Sequence, residues 1–216
     1  MLEGPTLYAI VDPSRCSVSE EAGRDREVVE FTRALLKGGA GVVQLRDKQG
    51  TSRQTYALAC QLAQTCRDYD VAFVVNDRVD IALAAGADGV HVGPEDVPVA
   101  AVRQIVDDEF IVGASAGTPE KAVELQRQGA DYLGVGAVYE ARESKPNASA
   151  PRGPEALRVV VDAVDIPVVG IGGIDAENAA EVMEAGAAGV AVISALCRGD
   201  GPQKGAQTLC GAISGG

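Results

Sequence analysis

One eight-residue pattern, Gly-Ala followed by a short apolar run, occurs four times in this chain, at residues 39–46, 86–93, 129–136 and 186–193. The starts are 47, 43 and 57 residues apart, and each interval is long enough for two strand-plus-helix units. Four further apolar runs lie between the octets, at 7–11, 72–75, 111–114 and 168–171. Eight strands alternating with helices predict an α/β fold, a single (β/α)8 TIM barrel with residues 1–216 as one domain. Such barrels work with residues at the C-terminal ends of their strands.

Helices are expected at 28–37, 52–67, 79–85, 99–106, 118–128, 154–164 and 176–185, with a weaker one after Gly205. Ser52 is the expected cap of the second, while Pro119 and Pro154 sit where a first helical turn accepts proline. The leading glycine of each octet falls where a helix must stop before the next strand. The surplus length of the last interval falls at 137–153, a polar stretch directly after strand six, which reads as a cover over the catalytic face.

Composition narrows the function. Thirty-one acidic against 19 basic residues give a formal charge of −12, which disfavours an electrostatic grip on nucleic acid or an anionic membrane. The absence of Trp leaves little to stack bases on. Only five of the basic residues are Lys, a balance that suits either solubility in high salt or an ordinary acidic enzyme. Five cysteines, Cys16, Cys60, Cys66, Cys197 and Cys210, are odd in number and lack metal-ligand spacing, so reduced thiols are expected. With no signal-like start and no apolar stretch of about 18 residues, the expectation is a cytoplasmic protein.

The strand ends carry the chemistry. Strand two ends in Gln44-Leu45-Arg46-Asp47-Lys48, where alternation sends Gln44 and Arg46 to one side and Lys48 onward, an anion-binding floor. Strands three and four lead into Asn76-Asp77 and Gly93-Pro94-Glu95-Asp96. Asp77 and Asp96 are hard oxygen donors suited to Mg2+ bridged to substrate phosphates, although a lone Asp there also caps the following helix. Strand five ends at Ser115, and Lys145 lies in the loop after strand six. Gly172-Gly173 after strand seven and Ile193-Ser194 after strand eight offer backbone N–H groups where these barrels commonly bind phosphate. The sole histidine, His91, is read as a hydrogen-bonded core or rim residue with no proton-transfer role, and its isolation excludes His-based metal clusters and a Ser-His-Asp triad.

Nearly the whole chain resembles the thiamine phosphate synthase family, through QLRDK at 44–48, VVNDRVDIALAAGADGVHVGPED at 74–96, VGASAGT at 112–118, GIGGI at 170–174 and GVAVISAL at 189–196. The resemblance implies condensation of a pyrimidine diphosphate with a thiazole phosphate, with diphosphate leaving first and the thiazole nitrogen capturing a pyrimidine methylene cation. It implies Mg2+ on Asp77 and Asp96. It assigns the pyrimidine diphosphate to the 44–48 run, Leu45 and Asp47 included, with Asn76, Ser115 and Lys145, and the thiazole phosphate to Gly173, Ile193 and Ser194. Arg46, Lys48 and Lys145 would stabilise the departing diphosphate. The loop after strand six departs from the family pattern, being one residue longer to Lys145; Ser144 replaces a threonine there, and Arg142 and Glu143 are weaker candidate contacts. Partners are then small-molecule substrates, without nucleic acid or membrane, and a homo-oligomer is allowed. A thiazole tautomerase-like paralogue, a non-catalytic phosphate binder and a phosphoribosyl-type isomerase are the rivals; the first two would leave Arg46, Lys48, Asp77 and Asp96 idle.

Overall fold

The computed structural model describes residues 2, 4–16, 21–140, 151–197 and 200–215. They form eight parallel strands: β1 (Thr6–Val11), β2 (Val42–Leu45), β3 (Ala72–Asn76), β4 (Gly89–Val92), β5 (Ile111–Ala116), β6 (Tyr132–Val135), β7 (Val168–Ile171) and β8 (Gly189–Val192). Each strand pairs with the next, and β8 returns to β1 in the register Thr6↔Gly189, so the barrel is closed. The helices are α1 (Pro13–Cys16), α2 (Glu21–Lys37), α3 (Ser52–Arg67), α4 (Val79–Ala85), α5 (Val99–Val102), α6 (Pro119–Arg127), α7 (Gly153–Val161), α8 (Ala179–Glu184) and α9 (Pro202–Ser214), with a 3-10 turn at Ser194–Cys197. No helix among the described residues is long and apolar enough to cross a membrane.

The octets are helix-stop signals. Gly39, Gly86, Gly129 and Gly186 all have positive φ, and the N–H of the alanine that follows each donates to the carbonyl five residues back, Leu35, Ala82, Leu125 and Val182. That six-to-one closure satisfies a terminal helix carbonyl, only glycine enters it without strain, and the buried alanine then leads into the strand.

Alternation along the strands divides the core into two layers. Leu7, Ala9, Val11, Val43, Leu45, Val90, Val112 and Leu133 face the helices. Tyr8, Ile10, Val42, Val74, Tyr132, Val169 and Ala191 fill the barrel interior. Space for the tyrosines comes from small residues: a Cβ at Gly113 would stand 2.1 Å from the Tyr132 ring. We expect Gly113→Ala to displace that ring and lower stability by about 1–3 kcal/mol, read by denaturant unfolding. An unchanged midpoint would mean that the interior accommodates the methyl.

α2 begins at Glu21 rather than 28 and α7 ends at Val161 rather than 164, and four further differences have a local cause. α5 stops at Val102 rather than 106, because Val99 and Val102 are buried one turn apart while Ile105 is 62% exposed and breaks the apolar stripe. α8 begins at Ala179 rather than 176: Asn178 Oδ1 accepts from the Asp175 N–H and Asp175 Oδ1 from the Glu177 N–H, a side-chain turn that replaces the first helical one. α9 starts at Pro202, before Gly205, with proline in its first turn. The cap of α3 is Thr51, not Ser52; its hydroxyl accepts from the Gln54 N–H while Gln54 Oε1 accepts from the Thr51 N–H.

Candidate active site

Strand ends β1 to β3 set two ion pairs at the mouth. Asp12, one residue beyond β1 and buried, accepts from Arg46 Nη1 at 2.8 Å and from the Ser14 N–H and hydroxyl at 3.1 and 2.6 Å. Arg46 is thereby held over the mouth by a charge-assisted bond. Lys48 pairs with the Asp77 carboxylate, which also accepts from Asn76 Nδ2 at 2.7 Å.

Asp77 has φ +55, a left-handed conformation that aspartate tolerates better than most residues. Capping does not account for it: the residue at the N-cap of α4 is Arg78, and no side chain caps that helix. The Asp77 carboxylate faces Lys48 instead. Asp96 folds back to accept from the Gly93 N–H at 2.7 Å, at the adjacent strand end. Among the described residues no group of three or more His, Cys, Asp or Glu could hold a metal. Two hard carboxylates at neighbouring strand ends nevertheless fit Mg2+, which keeps waters and takes remaining oxygens from substrate phosphates.

Leu45 and Asp47 do not turn their side chains to the mouth. Leu45 packs in the layer beneath the helices. The Asp47 carboxylate, 2% exposed, is occupied by Arg24 Nη2 at 2.9 Å, the Gly50 N–H at 2.9 Å and the Thr55 hydroxyl at 3.2 Å, and so fixes the β2–α3 loop. Only their backbone is available to a ligand.

Inside the barrel runs a polar chain that the sequence did not reveal. Gln44 Nε2 donates to the Tyr8 hydroxyl at 2.8 Å, the Tyr8 and Tyr132 hydroxyls meet at 2.6 Å, Tyr132 meets His91 Nδ1 at 3.0 Å, and His91 Nε2 meets the Ser115 hydroxyl at 3.0 Å. Burial pushes the Tyr8 hydroxyl up to about 12 and raises Tyr132 well above the ordinary tyrosine value, so both keep their protons, and burial pulls His91 down to about 4, so its ring is neutral at pH 7. His91 is thus the hydrogen-bonded rim residue that its isolation implied. The two tyrosines lie within uniformly apolar runs, where nothing in the sequence distinguishes the inward face.

Two cavities open at the mouth. One of about 130 Å³ is lined by Gln44, Arg46, Asn76, His91, Ser115 and the tyrosines. The other, about 340 Å³, is lined by Gly172, Gly173, Ile193, Ser194, Arg15 and Tyr139. They share Ile171, Ala191 and Ile193 and therefore adjoin.

The glycines of the larger cavity are required by crowding as well as conformation. Gly172 and Gly173 have φ of +100 and +65, and a Cβ at Gly173 would lie 2.7 Å from the Tyr139 carbonyl. The turn is locked under the start of the β6 loop by Val138 N–H to Ile171 O and Tyr139 N–H to Gly172 O, both 3.0 Å. The N–H groups of Gly173 and Ser194 donate to no backbone carbonyl among the described residues, and Arg15 Nη1 donates to the Ser194 hydroxyl at 3.0 Å. Asp12 and Arg15, missed in the sequence, occupy the end of strand one, where position alone was the available signal. Arg142, Glu143, Ser144 and Lys145 lie outside the described residues.

Comparison with known proteins identifies the family and matches the fold. The family model described as Thiamine monophosphate synthase matches residues 7–196. The chain is 44% identical over 197 residues to the thiamine-phosphate synthase of Natronomonas pharaonis, covering 90% of this chain and 92% of that protein. It is 46% identical over 179 residues to that of Moorella thermoacetica, covering 83% and 85%. Among solved structures, a thiamine phosphate pyrophosphorylase from Pyrococcus furiosus superposes with a TM-score of 0.85 at 39% identity, over 97% of this chain and 96% of the other. The match spans the strand ends that build both cavities, and the chain belongs to the thiamine monophosphate synthase family, as a transferase enzyme.

Proposed function

We propose that the chain joins 4-amino-5-hydroxymethyl-2-methylpyrimidine diphosphate to 4-methyl-5-(2-hydroxyethyl)thiazole phosphate, releasing diphosphate and thiamine phosphate in an Mg2+-dependent reaction. The observation that carries this reading is the pair of adjoining cavities, one edged by Arg46, Asn76 and Ser115 and the other by the Gly173 and Ser194 amides. Two anionic reactants seated there would bring the pyrimidine methylene and the thiazole nitrogen together over Ile171, Ala191 and Ile193, an apolar seam between the two cavities.

Gln44, Asn76 and Ser115 would bind the pyrimidine half, with Arg46 and Lys48 at its diphosphate. Gly173, Ile193 and Ser194 would take the thiazole phosphate through main-chain donors, as glycine turns after strands seven and eight do in such barrels. Asp77 and Asp96 would hold Mg2+. When bound, the metal supplies positive charge against the diphosphate oxygens, worth several kcal/mol as negative charge develops on the leaving group. Arg46, fixed by Asp12, and Lys48, released from Asp77 to the phosphates, add to that field. Departure of diphosphate leaves a pyrimidine methylene cation, which the thiazole nitrogen lone pair captures. That bond formation requires no general base, and His91 and the tyrosines are engaged with one another. Lys145, with Ser144, Arg142 and Glu143, would approach from the loop after β6.

Incubation of purified protein with both substrates is expected to yield thiamine phosphate and one equivalent of diphosphate, and a chelator should abolish the yield until Mg2+ is restored. Folded protein that forms no product, or product formation indifferent to chelation, would count against the reading. A tautomerase or a phosphate binder would leave the Lys48–Asp77 pair and Arg46 without a task.

A further inference from the structure

Along the chain Gln44, Tyr8, Tyr132, His91, Ser115 each hydroxyl and the ring can donate or accept, and one direction gives every proton of the chain an acceptor or the cavity. Gln44 Nε2 is a donor only, so at 2.8 Å the Tyr8 oxygen is its acceptor. In that direction Tyr8 passes its own proton to its other polar neighbour, the Tyr132 oxygen at 2.6 Å. Tyr132 in turn donates to His91 Nδ1 at 3.0 Å, which places the ring proton on Nε2. Nε2–H donates to the Ser115 oxygen at 3.0 Å, and the hydroxyl proton of Ser115 is left for the cavity. At the opposite end, Gln44 Oε1 has no hydrogen bond among the described residues and is not sealed from solvent, since no buried side-chain oxygen is without a partner. It too opens to the small cavity that Gln44 lines.

We infer that Tyr8, Tyr132 and His91 act as a relay that holds Ser115 as donor and Gln44 as acceptor toward this cavity, and so selects a 4-aminopyrimidine over its 4-oxo counterpart. The amino form presents a donor, the exocyclic NH2, beside an acceptor, N3. The oxo form presents the reverse, an acceptor oxygen beside N3–H. In the cavity that both residues line, the oxo compound sets its carbonyl oxygen against the Gln44 oxygen, acceptor against acceptor, and a site built to hydrogen-bond one pattern rejects the other because its polar groups are left unpaired. None of the three relay residues needs to touch the ligand; they are positioning residues, acting through Ser115 and Gln44. The inference rests on the proposed function for the identity of the ligand and adds to it the groups that set its specificity.

Calorimetric titration with 5-(diphosphooxymethyl)-2-methylpyrimidines bearing either 4-amino or 4-oxo, in the presence of Mg2+ and without the second substrate, tests it. The wild-type protein is expected to bind the amino compound at least about 100-fold more tightly. Tyr132→Phe removes the proton that fixes the His91 tautomer, and His91→Leu removes the donor to Ser115. In each variant that unfolds at the wild-type temperature, the preference should fall below about tenfold while affinity for thiazole phosphate is unchanged. A folded Tyr132→Phe or His91→Leu protein that keeps the full preference would show the chain to be structural only and overturn the relay, as would a wild-type protein preferring the oxo compound. Absence of thiamine phosphate in the two-substrate assay would fail the functional reading, whereas equal affinity for the two pyrimidines in a protein that passes that assay overturns the relay alone.

Discussion

Asp77→Asn is expected to lower turnover by at least about 100-fold while leaving the protein folded and its affinity for thiazole phosphate intact. Asparagine is the appropriate replacement because it tolerates the left-handed conformation at φ +55 and preserves side-chain shape. What it removes is one negative charge, and with it both a hard metal ligand and the partner of Lys48. Asp77→Ala would add conformational strain of about 1–2 kcal/mol and confound the two effects. The measurement is kcat across an Mg2+ titration, with the melting temperature as control. A variant that retains wild-type kcat at saturating Mg2+ would exclude Asp77 from the metal site, and a variant that fails to fold would restore a purely structural role.

Gly173→Ala carries the second large effect. A methyl there would meet the Tyr139 carbonyl at 2.7 Å and the Glu140 oxygen at 2.8 Å, both main-chain atoms that cannot rotate away. Left-handed strain of about 1–2 kcal/mol adds to that clash. The turn and the start of the β6 loop must separate, and the amides facing the 340 Å³ cavity move with them. KM for thiazole phosphate should rise about tenfold or more, equivalent to displacement of one good donor, while KM for the pyrimidine diphosphate stays within about twofold because the polar lining of its cavity, Gln44, Arg46, Asn76 and Ser115, comes from other strands. Equal increases in both constants would indicate that the two cavities are not separate subsites.

How far the sequence foretold this arrangement depends on whether the local physics was unambiguous. The octets were legible because a positive-φ glycine closing a helix, followed by a buried alanine and a strand, has one structural solution, and Gly39, Gly86, Gly129 and Gly186 all adopt it. Gln44 and Arg46 were legible as polar groups interrupting an apolar strand end, while Asn76 and Ser115 entered through the family resemblance, and the structure brings all four to one cavity. Leu45 and Asp47 entered with the contiguous 44–48 run, but strand alternation turns Leu45 outward and Arg24 claims Asp47. Tyr8 and Tyr132 were hidden because a parallel strand covered on both faces reads as a continuous apolar run, in which an inward tyrosine looks like any core residue. Asp12 and Arg15 needed the closed barrel, which sets the end of β1 beside both β2 and β8.

The central claim is that one mouth seats two anionic molecules side by side, the first against Gln44, Arg46 and Ser115 and the second against Gly173 and Ser194. A crystal structure of the protein with thiamine phosphate, diphosphate and Mg2+ tests it most directly. The pyrimidine ring is expected in the smaller cavity, the phosphate at the Gly173 and Ser194 amides, and the diphosphate with its metal between Arg46 and Asp77. Density for these groups on separate faces of the barrel, or a metal bound away from Asp77 and Asp96, would contradict it.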